Sequence, residues 1–127
     1  MLTDTPTLYD IYLRHPVVTT DSRAVPEGSI FFALSGDRFD GNAFAVAALQ
    51  QGAAWAVVSD PLLQGDRFLH VQDTLTALQQ LALHHRNTFS IPVLAITGSN
   101  GKTTTKEMLT VVLSSRFRVR STVGNFN

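Results

Sequence analysis

The apolar run Val93-Leu94-Ala95-Ile96-Thr97 leads straight into Gly98-Ser99-Asn100-Gly101-Lys102-Thr103-Thr104-Thr105, and no other segment constrains this chain as strongly. A compact apolar run of this kind suits a strand of a parallel sheet. Beyond the glycines, Lys106 to Ser115 carries Met108, Leu109, Val112 and Leu113 at helical spacing. Strand, glycine turn and helix in succession form the setting of a phosphate-binding loop. In the common version of that loop the first glycine would fall at Ile96. Here the nearest glycine is Gly98, so the loop is two residues shorter. The physics is unchanged: glycines let successive N–H groups turn inward, and the helix start adds its positive dipole end. Lys102 would place a charge on the β- and γ-phosphates of a nucleotide. The hydroxyl of Thr103 or Thr104 would offer Mg²⁺ an oxygen ligand.

The 127 residues suit one ordinary domain, or one small domain and part of another. Hydrophobic residues make up 44% and charged residues 16%, so a packed core is expected. Ten basic side chains balance ten acidic ones, which gives no electrostatic case for nucleic acid or a membrane surface. With no cysteine, disulfides and thiolate metal sites are excluded. No apolar run approaches the ~20 residues of a membrane span, and the N-terminus lacks the marks of a signal peptide. A soluble, cytoplasmic monomer without membrane insertion is the expectation.

Upstream of the glycine loop the pattern is α/β. Thr5-Pro6 opens a short helix through Leu8, Ile11 and Tyr12. "VVTTDSR" is a short β-rich run, and Pro26-Glu27-Gly28 turns the chain into a strand, Ile30 to Leu34, apolar on both faces. After the glycine-bracketed loop "SGDRFDG", Asn42 is expected to cap a helix with Phe44, Val46, Ala47 and Leu49 inward, closed by Gly52. Phe32 and Phe44 read as core. "AWAVVS" and "RFLHVQD" are strands, and Thr74 to Asn87 is the clearest helix, through Leu75, Leu78, Leu81 and Ala82. "VLAIT" and "RFRVRS" are the strands expected around the glycine loop. The boundary falls near Asn87 to Ile91: residues 1–88 form one α/β domain, and 89–127 open a parallel-sheet nucleotide-binding domain. Because a strand-loop-helix-strand unit cannot cover both faces of a parallel sheet, the chain is expected to be the N-terminal part of a longer protein.

Two blocks of residues carry a resemblance. "TGSNGKTTT" is similar to the short phosphate loop of the Mur ligases, ATP-dependent amide-bond formers of peptidoglycan synthesis. "TDSRAVPEGSIFFALSGDRFDGNAFAVAALQQGAAWAVV", Thr20 to Val58, resembles that family's N-terminal domain in its DSR, PG-aromatic and DG-x-x-F elements. Folylpolyglutamate synthetases share the loop but lack that domain. Within the family, "GSNGKTTTKEML" and "GNFN" look most like the branch that joins D-alanyl-D-alanine to UDP-N-acetylmuramoyl-tripeptide. The branch adding the third amino acid is the nearest alternative.

The resemblance implies a small UDP-sugar-binding α/β domain followed by the first strand-loop-helix unit of a P-loop-type ATPase domain, with ATP and Mg²⁺ as cofactors. It implies phosphate binding by Gly98, Ser99, Asn100, Gly101, Lys102, Thr103 and Thr104, with Lys102 catalytic and Thr103 on the metal. It places Ser22 against the uridine, and Asp37, Arg38 and Phe39 near the uracil. By residue chemistry alone, Asp21 and Ser22 read first as turn formers, and Arg38 is equally a solvated loop charge. Thr122 and Asn125 of "STVGNFN" are implied to face substrate or Mg²⁺. His15, His70, His84 and His85 do not have metal-ligand spacing, since adjacent His84 and His85 point about 100° apart on a helix. The family's remaining metal ligand, carbamylated lysine and C-terminal domain lie outside these residues, so this chain is expected to be inactive alone. A non-catalytic nucleotide-sugar module and a generic P-loop switch or ATPase are the readings from other classes.

Overall fold

A computed structural model describes residues 2–37 and 39–123. The chain divides into two compact units, Met1–Ser90 and Ile91–Asn127.

The first unit is built on a four-stranded parallel sheet in the order β1-β2-β5-β6, with β1 at Val18–Thr19, β2 at Ile30–Phe32, β5 at Trp55–Val58 and β6 at Phe68–His70. Strand side chains alternate between faces, and here both faces are apolar. Ile30, Phe32 and Val57 point to a layer shared with Leu8 and Ile11 of α1 (Thr5–Arg14) and Leu81 of α3 (Thr74–Asn87). Phe31, Ala56 and Val58 point to the opposite layer, with Ala45, Ala48 and Leu49 of α2 (Ala45–Gln50). The fold is therefore α/β, with helices on both faces of a parallel sheet. Phe31 and Phe32 are both fully buried. Each contributes about 1.5–3 kcal/mol by leaving water.

Two short strands, β3 (Ser35–Gly36) and β4 (Phe39–Asp40), form an antiparallel hairpin between β2 and α2. A 3₁₀ turn at Gly41–Phe44 follows, and α2 begins only at Ala45. This corrects the expected helix cap. Asp40, rather than Asn42, caps the turn, accepting a hydrogen bond from the Asn42 N–H. Because the turn is tighter than an α-helix, the inward face shifts to Ala45, Ala48 and Leu49. Phe44 (48% exposed) and Val46 (46% exposed) face water, so Phe44 is not core. On α3 the inward face is Thr74, Ala77, Leu78 and Leu81, while Leu75 and Ala82 are exposed.

Carboxylates cap α1 and α3. Asp4 accepts from the Thr7 N–H and Asp73 from the Thr76 N–H. Hydrogen bonds from Thr7 and Thr76, side chain before backbone, hold both carboxyls below their usual range. Asp40 is lowered by Ser35 first and then by Asn42. A depressed folded value stabilises the fold above the unfolded pKa, about 4. That contribution is lost as pH falls through the lower folded values. The thermal midpoint is thus expected to fall as pH drops below about 4. Asp73→Asn keeps an acceptor at the cap without the titration, so its acid loss should be smaller in a melting series against pH. An equal loss would remove Asp73 from the acid response.

The second unit contains α4, Lys102–Ser114, which begins four residues before the expected Lys106. The expected strands "VLAIT" and "RFRVRS" do not form among the described residues. A strand is defined by its hydrogen-bonded neighbour, and neither run has one there. Val93 and Leu94 are mostly exposed, as are Met108, Val111 and Val112 of α4.

Candidate functional site

In a parallel sheet the loops leaving the carboxyl ends of the strands share one end, where α/β proteins place their ligands. β1 ends at Thr19 and "TDSR" follows; β2 ends at Phe32 and the β3–β4 hairpin follows. β1 and β2 are parallel neighbours, so Ser22, Asp37 and Phe39 all lie in loops leaving the same end of the sheet.

The "TDSR" turn is held from within. Asp21 accepts from Arg23 Nε at 2.9 Å, Nη2 at 2.8 Å and the backbone N–H at 2.9 Å. The Arg23 side chain, and then its backbone N–H, hold the Asp21 carboxyl far below the usual carboxylate range. Both side chains are substantially exposed, so this pair shapes the turn more than it stabilises the fold. The Ser22 carbonyl accepts from Gln51 Nε2 at 3.1 Å, which ties the turn to the end of α2. Ser22 is half-buried, while Asp37 and Phe39 are exposed. Arg38 lies outside the described residues.

Beside this end, a cavity of about 330 Å³ is lined by Leu2, Ser59, Pro61, Gln64, His70 and Val71. Between hairpin and cavity sits a polar cluster that the sequence reading did not single out. Buried Asn42 bonds to Ser35, Asp40 and Ser59 through its side chain. The available signal was a polar residue directly after Asp40-Gly41, at a point where the chain turns inward.

In the second unit, Gly98 (φ 148°) and Gly101 (φ 76°) bracket the loop. Gly101 is the N-cap of α4 in the left-handed region, a conformation that favours glycine. Gly101 itself has no side chain with which to cap this helix start. Thr103 and Thr104 lie in its first turn, and Lys102 folds back so that Nζ donates to the Gly98 carbonyl at 2.6 Å. The ammonium is thus held on the loop itself. Thr122 meets α4 through its backbone: its carbonyl accepts from Lys106 Nζ at 2.8 Å. Asn125 lies outside the described residues.

The histidines serve other contacts. His84 and His85 pack against Tyr9, whose hydroxyl lies 3.2 Å from His85 Nδ1, and His15 Nδ1 lies 3.0 Å from the Gly28 carbonyl. Among the described residues no three His, Asp or Glu side chains gather as metal ligands, and no helix is long and apolar enough to cross a membrane.

Two regions of the chain match models of known families. Residues 16–86 match "Mur ligase family, catalytic domain", and residues 96–127 match "Mur ligase middle domain". The chain is 45% identical over 114 residues to the UDP-N-acetylmuramoyl-tripeptide–D-alanyl-D-alanine ligase of Bacillus subtilis, covering 87% of this chain and 25% of that protein. It is 41% identical over 98 residues to the UDP-N-acetylmuramoyl-L-alanyl-D-glutamate–2,6-diaminopimelate ligase of Geobacter metallireducens, covering 74% and 19%. Among solved structures it resembles the MurF ligase of Thermotoga maritima in complex with ADP (TM-score 0.77, 38% identity), covering 87% of this chain and 26% of that one. The MurF of Acinetobacter baumannii is similar at a TM-score of 0.71 and 41% identity, over 80% and 23%. The chain therefore spans about a fifth to a quarter of the length of these relatives. With one family model matched across most of the first unit and a second across the glycine loop and α4, the chain belongs to the Mur ligase family.

Proposed function

We propose that this chain supplies the uridine-binding domain and the ATP phosphate loop of a ligase that joins D-alanyl-D-alanine to UDP-N-acetylmuramoyl-tripeptide. The 45% identity to the Bacillus subtilis ligase, running through both units, carries this reading. In this reading ATP phosphorylates the terminal carboxylate of the tripeptide, and the amine of D-alanyl-D-alanine attacks the acyl phosphate and releases phosphate. Because the substrates are nucleotide-linked precursors, the enzyme would work in the cytoplasm, without membrane insertion or nucleic acid.

The glycine loop fits an ATP phosphate group. Its backbone turns through a left-handed glycine into a helix start, and Lys102 already lies on the loop. Ser99 to Thr103 would offer backbone N–H groups, Lys102 would neutralise phosphoryl charge, and Thr103 would give Mg²⁺ an oxygen ligand, with Thr104 beside it. Mg²⁺ would supply charge neutralisation at the phosphates. The contribution of these residues is positioning and electrostatics. Ser22, Asp37, Arg38 and Phe39 would receive the uridine, and Thr122 and Asn125 would face substrate or Mg²⁺. The domain boundary would lie near residue 88, and this chain by itself would not turn over ATP.

UDP titrated into the chain should shift the amide signals of Ser22, Asp37, Arg38 and Phe39, and adenosine should not. Shifts confined to the surroundings of Lys102 would overturn the uridine assignment in favour of a generic phosphate loop. The second reading, addition of the third amino acid, has support in the 41% identity to the Geobacter ligase. In a full-length enzyme, acceptance of the UDP-linked dipeptide and refusal of the tripeptide would select it.

A further inference from the structure

We propose that Asn42 is a positioning residue for uridine recognition, a clamp that fixes the β3–β4 hairpin against the end of β5. The proposal rests on the uridine reading of the first unit. A primary amide offers two donor hydrogens and two acceptor lone pairs, and Asn42 uses both kinds. Nδ2 donates to Asp40 Oδ1 at 2.8 Å, to Ser59 Oγ at 3.1 Å and to Ser35 Oγ at 3.3 Å. Oδ1 accepts from the N–H groups of Ser59 at 3.0 Å and Asp60 at 3.3 Å. Asn42 is 6% exposed, while Ser35 and Asp40 lie at the surface, so its bonds run from the buried amide out to the base of the hairpin.

What this cluster holds is the base of the loop. Ser35 and Asp40 face each other across the hairpin, and the Ser35 hydroxyl also donates to Asp40 Oδ1 at 2.7 Å. Asp37 and Phe39 lie between these two pinned residues, exposed at the carboxyl end of the sheet. Their placement is therefore set at the base, by a residue that need not touch the ligand. Loop residues bind well when a rigid scaffold positions them, and a loop already ordered loses less entropy on binding. The amide cannot be replaced by its acid: an aspartate at position 42 would set a second carboxylate beside Asp40 and remove the donors to Ser35, Asp40 and Ser59.

UDP binding to the chain would be measured by titration, with Trp55 emission reporting that the first unit is folded. Asn42→Asp is expected to weaken UDP binding by about tenfold or more, the scale of losing a charge-assisted hydrogen bond. The amide signals of Asp37 and Phe39 should shift in the free protein, and those of Thr19 to Ser22 should not. Combining Asn42→Asp with Asp40→Asn restores one amide and one carboxylate at the clamp and should recover most of the affinity. Unchanged UDP binding by a folded Asn42→Asp variant would overturn the proposal. If that variant does not fold, Ser59→Ala decides: it removes one bond at the edge of the clamp and should weaken UDP about threefold, and full affinity there would count against the clamp. No UDP binding by the unaltered chain would instead overturn the uridine reading itself.

Discussion

Lys102→Ala in a full-length ligase carrying this chain is expected to lower ATP turnover by about a hundredfold or more, the scale of losing one preorganised electrostatic contact. The side chain is held on the glycine loop by its 2.6 Å hydrogen bond to the Gly98 carbonyl, so its charge is in place before any nucleotide arrives. A charge placed in advance costs no reorganisation when the phosphoryl group moves. It therefore stabilises the transition state more than the ground state. The start of α4 offers partial positive charge at the same loop. Partial charges of that kind do not replace a full one. UDP-sugar affinity, which we place on the first unit, should hardly change. Measuring ATP turnover and UDP-sugar binding on the same variant separates the two effects. Near-normal turnover would take Lys102 off the catalytic list.

Gly41→Ala is expected to destabilise the first unit by about 3 kcal/mol, the upper end of the usual range for overpacking. Gly41 has ordinary negative φ, so the constraint is space. A Cβ there would lie 2.1 Å from the Leu34 carbonyl oxygen and 2.7 Å from the Ala33 carbonyl carbon. Both are backbone atoms beside β2, and the Gly41 N–H donates to that same Leu34 oxygen at 2.9 Å. Nothing there can rotate aside. The hairpin would have to move off the sheet, breaking this bond and displacing Asn42 from its partners. Gly36→Ala is the control, because its Cβ would meet only the exposed Phe39 ring, at 3.1 Å. That ring can swing into solvent, so the loss should be much smaller. Trp55 is the single tryptophan and lies in β5, so its emission in a urea titration reports on the first unit. Equal midpoints for the two variants would show that the hairpin yields more easily than this contact implies.

The strength of local signals decided what could be read without coordinates. Thr74–Asn87 is a helix with the expected bounds because Leu78 and Leu81 mark a helical period over a length that suits a helix, although Leu75 and Ala82 of the expected face are exposed. A buried strand was legible at Ile30 to Leu34, of which Ile30 to Phe32 form it, since only a sheet covered on both faces accepts apolar side chains at every position. The glycine loop was legible for the same kind of reason. Gly98, Gly101 and Lys102 encode backbone shape and charge within six residues.

The tertiary structure decided what depends on distant partners. The inward face of the helix after Asp40 turned on a 3₁₀ turn, whose tighter winding rotates Phe44 and Val46 toward water. "VLAIT" has the composition of a strand, yet a strand needs a neighbour, and its own residues cannot supply one. Asn42 shows the division most clearly. Its identity alone suggested a helix cap, because Asn caps are a local preference. Its partners Ser59 and Asp60 lie 17 and 18 residues further along the chain and are brought to it only by packing β5 beside β2. Sequence by itself determined where the backbone must turn and what each segment could bury. Which buried amide holds the loops at the end of the sheet was settled only by folding, because hydrogen bonds between distant residues form only after the apolar layers have brought them together.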